Sequence, residues 1–331
     1  MSVIDTVAAA IPGGQWKRPP PVPENWYLLA ASHALRPGKV LAASVGETEF
    51  VLMRSPLGRL TAFAAHCAHM GCHLRHATVE PLGLRCALHQ RLIHADGTFG
   101  HPEDGGGRPL TQRTYPLVEH YGAIFVWTGQ GAAPDLPLPR LGPGDRYIAR
   151  PVGIFETRTD WVSLLSNAFD MEHLATVHRR RLIEAAEITR PTVDSFRLSY
   201  RSRVIGTRIS DRVVKRLSGN QIHASMTSWR GSMMFVESTL GQRRSFFILS
   251  MCPRTDGGTE VRSLVGAVLS RPGWLDALRL RLTATMFISF LSDDFQVLDG
   301  LRWHPPAAAG SAADRNLQQL ALFLSGLRGQ A

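Results

Sequence analysis

The sequence predicts an α+β protein in two parts: an all-β amino-terminal domain, then a domain of mixed strands and helices. Three observations lead there. Residues 25–129 alternate short apolar runs with turn signals at Arg36-Pro37-Gly38, Asp96-Gly97 and the glycines 105–107, as an all-β domain does. The following stretch, GQGAAPDLPLPRLGPGD, is rich in Pro and Gly and predicts an interdomain linker over residues 130–145. From residue 146 to 331 strand-like and helix-like periodicities mix. A chain of 331 residues is long enough to bury two full cores.

In chain order, residues 1–24 end in KRPPPVPE and predict an extended arm. The segment DWVSLLSNAFDMEHLATVH (160–178) predicts a helix with Asp160 as N-cap and Trp161, Leu164, Leu165, Ala168 and Phe169 at helical spacing. Strand patterns follow in SFRLSYRSRVIG, QIHASMTSWRG, RRSFFILSMCP and TEVRSLVGAVLS. ALRLRLTATMFISFL (277–291) predicts a long helix, and ADRNLQQLALFLSGL (313–327) an amphipathic carboxy-terminal one. Trp229, Met233, Phe235, Phe246, Phe247 and Phe287 are the expected core. No internal repeat is present.

Composition narrows the class. Hydrophobic residues make up 44% and charged residues 19%, as in an ordinary globular protein. No run of 18 apolar residues occurs, so no membrane-spanning helix is expected. The start, MSVIDTVAAAIPGG, has an early Asp and no basic region, and does not read as a signal peptide. Four cysteines predict no disulfide framework and fit a reducing cytoplasm. The net charge is +10, and because Lys occurs only at 17, 39 and 215, Arg supplies nearly all of it. The arginines are scattered, which argues against nucleic acid; the one dense run, Arg179-Arg180-Arg181, is expected to cap a helix C-terminus. A positive surface could also steer an acidic electron donor.

The most informative pattern is Cys67-Ala68-His69, sixteen residues, then Cys86-Ala87-Leu88-His89. It sets one thiolate and one imidazole on each of two short loops. A Rieske [2Fe–2S] cluster needs that set, two Cys on one iron and two His on the other. A Cys2His2 zinc site uses the same residue types but pairs Cys with Cys first and His with His second. The mixed halves favour the cluster.

A second pattern is Asn167-x2-Asp170-x2-His173-x4-His178. Residues three apart share a helix face, so Asn167, Asp170 and His173 form one stripe. His173 and His178 are five apart, about 140° out of alignment on an ideal helix, so joint ligation needs a break between them. Two His and one carboxylate form the facial triad of non-haem Fe(II) oxygenases. The carboxylate must come from elsewhere. Asp294, in FISFLSDDFQVLD, is the leading candidate, with Asp293 its immediate competitor and Asp299 a weaker one.

With these motifs together, the chain resembles the oxygenase (alpha) component of Rieske non-haem iron oxygenases, nearest the compact group of vanillate demethylase and dicamba monooxygenase. The likeness runs from Asn25-Trp26-Tyr27 through the cluster loops and TYPLVEHYGAIFVWTG (114–129) to the Asp293-Asp294 segment, where the spacing to Asp299 matches. It implies an all-β Rieske domain at 25–129 and a helix-grip (START/Bet v 1-like) catalytic domain at 146–331. It also implies one [2Fe–2S] cluster on Cys67, His69, Cys86 and His89, one mononuclear Fe(II) on His173, His178 and Asp294, and O2 as co-substrate. Asp170 is implied as the electron relay between subunits of a head-to-tail homotrimer, with Asn167 beside it, and its spacing fits a hydrogen bond that orients His173. A ferredoxin or flavin reductase would supply electrons from NAD(P)H. The implied reaction is hydroxylation or oxidative demethylation of an apolar or aromatic compound. Ring dihydroxylation, metabolite tailoring and plain Rieske electron transfer are the alternatives; the last would leave the Asn-Asp-His-His helix unexplained.

Departures from the family pattern lie beside the ligands. Ala68 stands where Pro is usual, and Gln90-Arg91 where Gly and then Trp or Leu are usual. Cys72 resembles the extra Cys of respiratory Rieske proteins, but the matching second-loop residue is Leu88, so no disulfide can form and a small buried hydrophobe is expected, as for Cys252. His66, His73, His76, His94 and His101 match no ligand position, and Glu172 is expected to face solvent.

Overall fold

A computed structural model describes residues 21–99, 110–139, 142, 144–269, 275–302 and 310–328. Most of the expected amino-terminal arm, the turn at glycines 105–107 and His101 lie outside these residues. The chain divides into two compact units, one of Glu24–Leu136 and one running from Pro137.

Among its described residues the first unit holds ten strands: β1 (Trp26–Ala31), β2 (Lys39–Val45), β3 (Thr48–Arg54), β4 (Leu60–Ala64), β5 (Thr78–Glu80), β6 (Gly83–Arg85), β7 (Leu92–His94), β8 (Thr114–Tyr115), β9 (Leu117–His120) and β10 (Ala123–Trp127). They form three antiparallel sheets, ordered β1-β10-β9, β2-β3-β4-β8 and β5-β6-β7. β3 and β10 are buried on both faces, which explains their unbroken apolar sequences. One core joins Val51, Met53, Phe63, Leu74, Leu84 and Ile93 to Cys67 and Cys86, so the cysteines are part of the hydrophobic interior. Gly83 is obligatory by close approach, because a Cβ there would sit 1.9 Å from the Ile93 carbonyl oxygen.

The second unit contains β11 (Tyr147–Thr157), α1 (Trp161–Ala168), α2 (Met171–Thr176), β12 (Arg180–Leu182), β13 (Glu187–Thr189), β14 (Ser195–Val204), α3 (Ile209–Ser218), β15 (Ile222–Trp229), β16 (Met233–Leu240), β17 (Arg243–Pro253), β18 (Thr259–Val268), α4 (Asp276–Leu298) and α5 (Ala312–Arg328). One antiparallel sheet runs β11-β18-β17-β16-β15-β14-β12, with β13 also on β14. Its inner face holds α4, whose buried Leu280, Ala284, Phe287, Leu291 and Leu298 recur at helical spacing and pack with Met226, Leu249 and Val265.

Residues 160–178 depart from the single helix the periodicity predicts. Asp160 does cap α1, its Oδ1 accepting from the Ser163 amide at 2.9 Å. At Phe169 the backbone leaves the helix (φ −100°, ψ 0°) and the ring buries against Phe196. Asp170 then caps a second helix. A short carboxylate competing for local amides is the physical cause. Helix α3 fills the interval between the strand patterns SFRLSYRSRVIG and QIHASMTSWRG, where no helix was expected; it ends at Gly219, in the left-handed region at φ 60°. The arginine run caps no helix either. Arg179 turns the chain at φ 54°, Arg180–Leu182 becomes β12, and Arg179 and Arg180 face Asp211.

Candidate metal centres

The two loops of the first unit are built alike. The Cys67 amide donates to the Cys72 carbonyl at 2.9 Å, and its carbonyl accepts from Gly71 at 2.8 Å. Cys86 repeats this with Arg91 and Gln90, both at 3.0 Å. Gly71 (φ 72°) and Gln90 (φ 55°) therefore occupy equivalent left-handed positions. Gln90 stands where the family pattern has Gly, and its Nε2 donates to the Ala87 carbonyl at 3.2 Å. Buried Gln112 straps the first loop: its Oε1 accepts from the Ala68 amide at 2.8 Å, and its Nε2 donates to the Ala64 and His66 carbonyls. Nothing in the sequence pattern singled Gln112 out.

The four donors separate by depth. Both cysteines are buried, while the Nδ1 atoms of His69 and His89 face each other at 3.1 Å nearer the surface. Burial pushes the Cys67 thiol up, the amides of His69 and Met70 pull it down, and nearby Cys86 raises it again. Among the described residues, no three of the four donor atoms lie within 4.8 Å of one another. A tetrahedral zinc with bonds of about 2.0–2.3 Å would draw its ligands closer than that. A two-iron cluster, sulfurs on the inner iron and imidazoles on the outer, fits this spread. Cys72 is a free thiol directed at Cys86; it is half-buried rather than fully buried as expected. Cys252 is buried, and burial pushes its thiol up to about 11.

In the second unit, three distant segments meet. Nε2 of His173 on α2 and Nε2 of His178 just beyond it each lie 2.7 Å from Oδ1 of Asp294 on α4. The helix ends at Thr176 and Val177 donates to the His173 carbonyl, which supplies the break that lets both rings turn inward. The His178 ring stacks on Phe290 with centroids 3.5 Å apart and planes at 9°. Burial would raise the Asp294 carboxyl, but the hydrogen bonds from His173 and His178 hold it below its ordinary value. Two imidazole nitrogens and a carboxylate oxygen on one buried point fit a divalent metal with open coordination positions. Asp293 points away to Arg208 at 3.3 Å, and Asp299 pairs with Arg158.

Asp170 approaches His173 through its main chain. Its Oδ1 accepts from the main-chain amides of Glu172 and His173, at 2.9 and 3.2 Å, so it orients the histidine through the backbone. Asn167 and Asp170 both line a cavity of about 120 Å³ beside the triad, otherwise walled by apolar side chains including Met226, Met234, Leu249 and Met251. Tyr200 lies between this cavity and a second one, and burial pushes its phenol up to about 12. Glu172 is exposed, as expected. Glu49, His66 and His73 form another potential ligand group, at the surface, which sequence distance had hidden. His73 Nδ1 there accepts from the Arg75 amide.

Comparison with known proteins fits this geometry. Residues 25–107, all within the first unit, match the family model of the Rieske [2Fe-2S] domain. Its relatives include the oxygenase component of dicamba O-demethylase from Stenotrophomonas maltophilia, 29% identical over 46% of this chain and 47% of that protein. Phenoxybenzoate dioxygenase subunit alpha from Ectopseudomonas oleovorans is 30% identical over 53% of this chain and 46% of its own. The chain spans about half the length of the curated relatives it matches. The fold of crystalline dicamba monooxygenase bound to dicamba superposes with a TM-score of 0.68 at 18% identity, covering 94% of this chain and 99% of that one. The resemblance to Rieske oxygenase alpha components therefore holds in both sequence and fold.

Proposed function

We propose that this protein is the terminal oxygenase component of a Rieske oxygenase system. It hydroxylates or oxidatively demethylates a small-to-medium, mainly apolar or aromatic organic compound, using O2 and electrons from a ferredoxin or flavin reductase that draws on NAD(P)H. The observation that carries the reading is the meeting of His173, His178 and Asp294 at 2.7 Å beside an apolar cavity, in a chain that also has Rieske loops. When loaded, the cluster supplies single electrons and the mononuclear iron supplies O2 reduction.

The protein's residues do the rest. Cys67 and Cys86 would hold one iron of the cluster and His69 and His89 the other. Asp294 supplies negative charge and, with His173 and His178, would hold the iron, a donor set that leaves coordination positions open. Phe290 fixes the plane of His178. The apolar cavity excludes water, which suppresses loss of reducing equivalents to solvent. Asp170 relays electrons from the cluster histidine of an adjacent subunit in a head-to-tail homotrimer; supporting this, it lines the cavity beside the triad and caps the helix that presents His173. Asn167 polarises the same corner. The working location is the cytoplasm.

The test is a metal and turnover assay of purified protein. Red-brown protein with about three irons per chain, whose O2 uptake with a generic reductase rises on adding aromatic compounds, is expected. A colourless zinc-containing protein would refute the assignment. A red protein lacking substrate-dependent O2 uptake would reduce it to an electron carrier.

A further inference from the structure

Beside the apolar cavity lies a second, larger one of about 230 Å³, and the two share walls at His178, Tyr200, Val236, Phe287 and Phe290. Its lining is of another kind. Strand register explains why: Tyr200 and Ser202 project from one face of β14, and their neighbours on β15, Ala224 and Ile222, lead across to Ser238 and Leu240 of β16 and then Ser245 of β17. On the sheet wall, hydroxyl groups thus replace the methionines of the inner cavity.

Two polar groups in this chamber are under-used. The Ser202 residue is 1% exposed, yet its hydroxyl has no hydrogen-bond partner among the described residues. The Arg180 side chain is 12% exposed, and among the described residues only one of its five donors makes a hydrogen bond, to Asp211 at a long 3.4 Å. Asp211 does not depend on it alone, since its other oxygen accepts from the Arg208 amide at 3.1 Å and lies 3.9 Å from Arg179. Three arginines, at 179, 180 and 208, face two aspartates, 211 and 293, so the chamber retains an uncompensated positive charge. A buried guanidinium with idle donors is costly unless an acceptor completes it.

We propose that this chamber binds the anionic head group of the substrate, with Arg180 and the Ser202 hydroxyl as its donors, so that the substrate is an amphipathic organic acid whose apolar end lies at the metal triad. The inference rests on the oxygenase reading for the triad but not for the chamber. A planar carboxylate suits the guanidinium fork, and neutral esters or alcohols of the same skeleton offer it no charge. Arg180 and Ser202 are thus specificity residues, outside the chemistry at the metal.

The test is calorimetric binding of metal-loaded protein to benzoate, naphthoate, phenylbutyrate and octanoate, each beside its methyl ester. At least one acid should bind about ten- to hundred-fold more tightly than its ester, the range expected of a charged hydrogen-bonded pair. R180Q should erase that preference, R180K should retain part of it, and the small change S202A should weaken the acid several-fold while leaving the ester unchanged. Circular dichroism of each variant separates lost recognition from lost folding, and S202A decides the case if R180Q does not fold. Equal binding of acids and esters, no acid binding at all, or an acid preference that survives both R180Q and S202A overturns the proposal. O2 uptake is measured separately: an acid held through Arg180 without turnover would count against the oxygenase reading and leave the chamber assignment standing.

Discussion

Replacing Asp170 by Asn and by Ala separates two roles that one side chain combines. Its Oδ1 caps α2 through the amides of Glu172 and His173, and its carboxylate charge is what the proposed relay uses. α2 has only six residues, so its one cap is a large part of what holds it. Loss of an N-cap costs about 0.5–2 kcal/mol, and Asn caps as well as Asp. Asp170→Ala should therefore loosen the helix that presents His173 and weaken metal retention by roughly two- to thirty-fold, the same energy expressed as a ratio. Asp170→Asn should leave stability and metal content unchanged within about 0.5 kcal/mol. It removes the carboxylate charge on which the proposed relay depends; loss of a positioned proton-transferring group is typically worth about 10²–10⁴ in rate. Stopped-flow reoxidation of the reduced cluster, with substrate and O2 present, reads the transfer directly. The reduced cluster should persist in the Asn variant, and mixed rings of Asp170→Asn and Cys86→Ala chains should regain partial activity. Rapid reoxidation coupled to product in Asp170→Asn would refute the relay and leave Asp170 a helix cap alone.

Three further outcomes are expected. Asp294→Asn should remove mononuclear iron and turnover while keeping cluster absorbance, whereas Asp293→Asn, breaking only a part-exposed pair with Arg208, should cost under about 1 kcal/mol and keep its iron; metal analysis checks both. Asp160→Ala loses the cap on Ser163 and a second bond to its hydroxyl at 2.7 Å, both buried, so chemical denaturation should show about 2–3 kcal/mol lost. Gln90→Gly relieves a left-handed residue beside the second loop, worth about 1–2 kcal/mol folded against about 0.4–1 kcal/mol of added unfolded-state entropy; a thermal scan should show neutral to slightly raised stability with the cluster retained.

The site was legible in the sequence to the extent that its donors are chemically distinctive and locally spaced. Cys67, His69, Cys86 and His89 declare themselves because few other arrangements use mixed Cys/His halves. The five-residue interval between His173 and His178 demanded a break, and the helix does end between them. The extra break at Phe169 was invisible because an aromatic there fits helical periodicity; only burial against Phe196 shows where the chain turns. Helix α3 was missed because it is short and lies between two strands, although Val213, Val214 and Leu217 recur at helical spacing among Asp211, Arg212, Lys215 and Arg216. Gln112 and the Glu49, His66 and His73 group join residues far apart in sequence, which no local pattern encodes. The arginine run looked like a helix cap because its true partner, Asp211, lies some thirty residues downstream.

One rod carries much of the second unit's chemistry. Phe287, Phe290 and Asp294 sit on α4 at intervals of three and four, so cavity wall, imidazole stack and metal carboxylate share a single rigid backbone. Mutations that shift α4 to widen the cavity would drag the carboxylate with them, and gains in substrate range would be lost as metal occupancy. The opposite wall is free of this coupling: Met226, Met234, Leu249 and Met251 come from sheet strands and touch none of the three ligand side chains by hydrogen bond. Directed evolution toward new substrates should therefore accumulate its changes on the sheet, where methionines repack readily, and leave the helix almost unaltered.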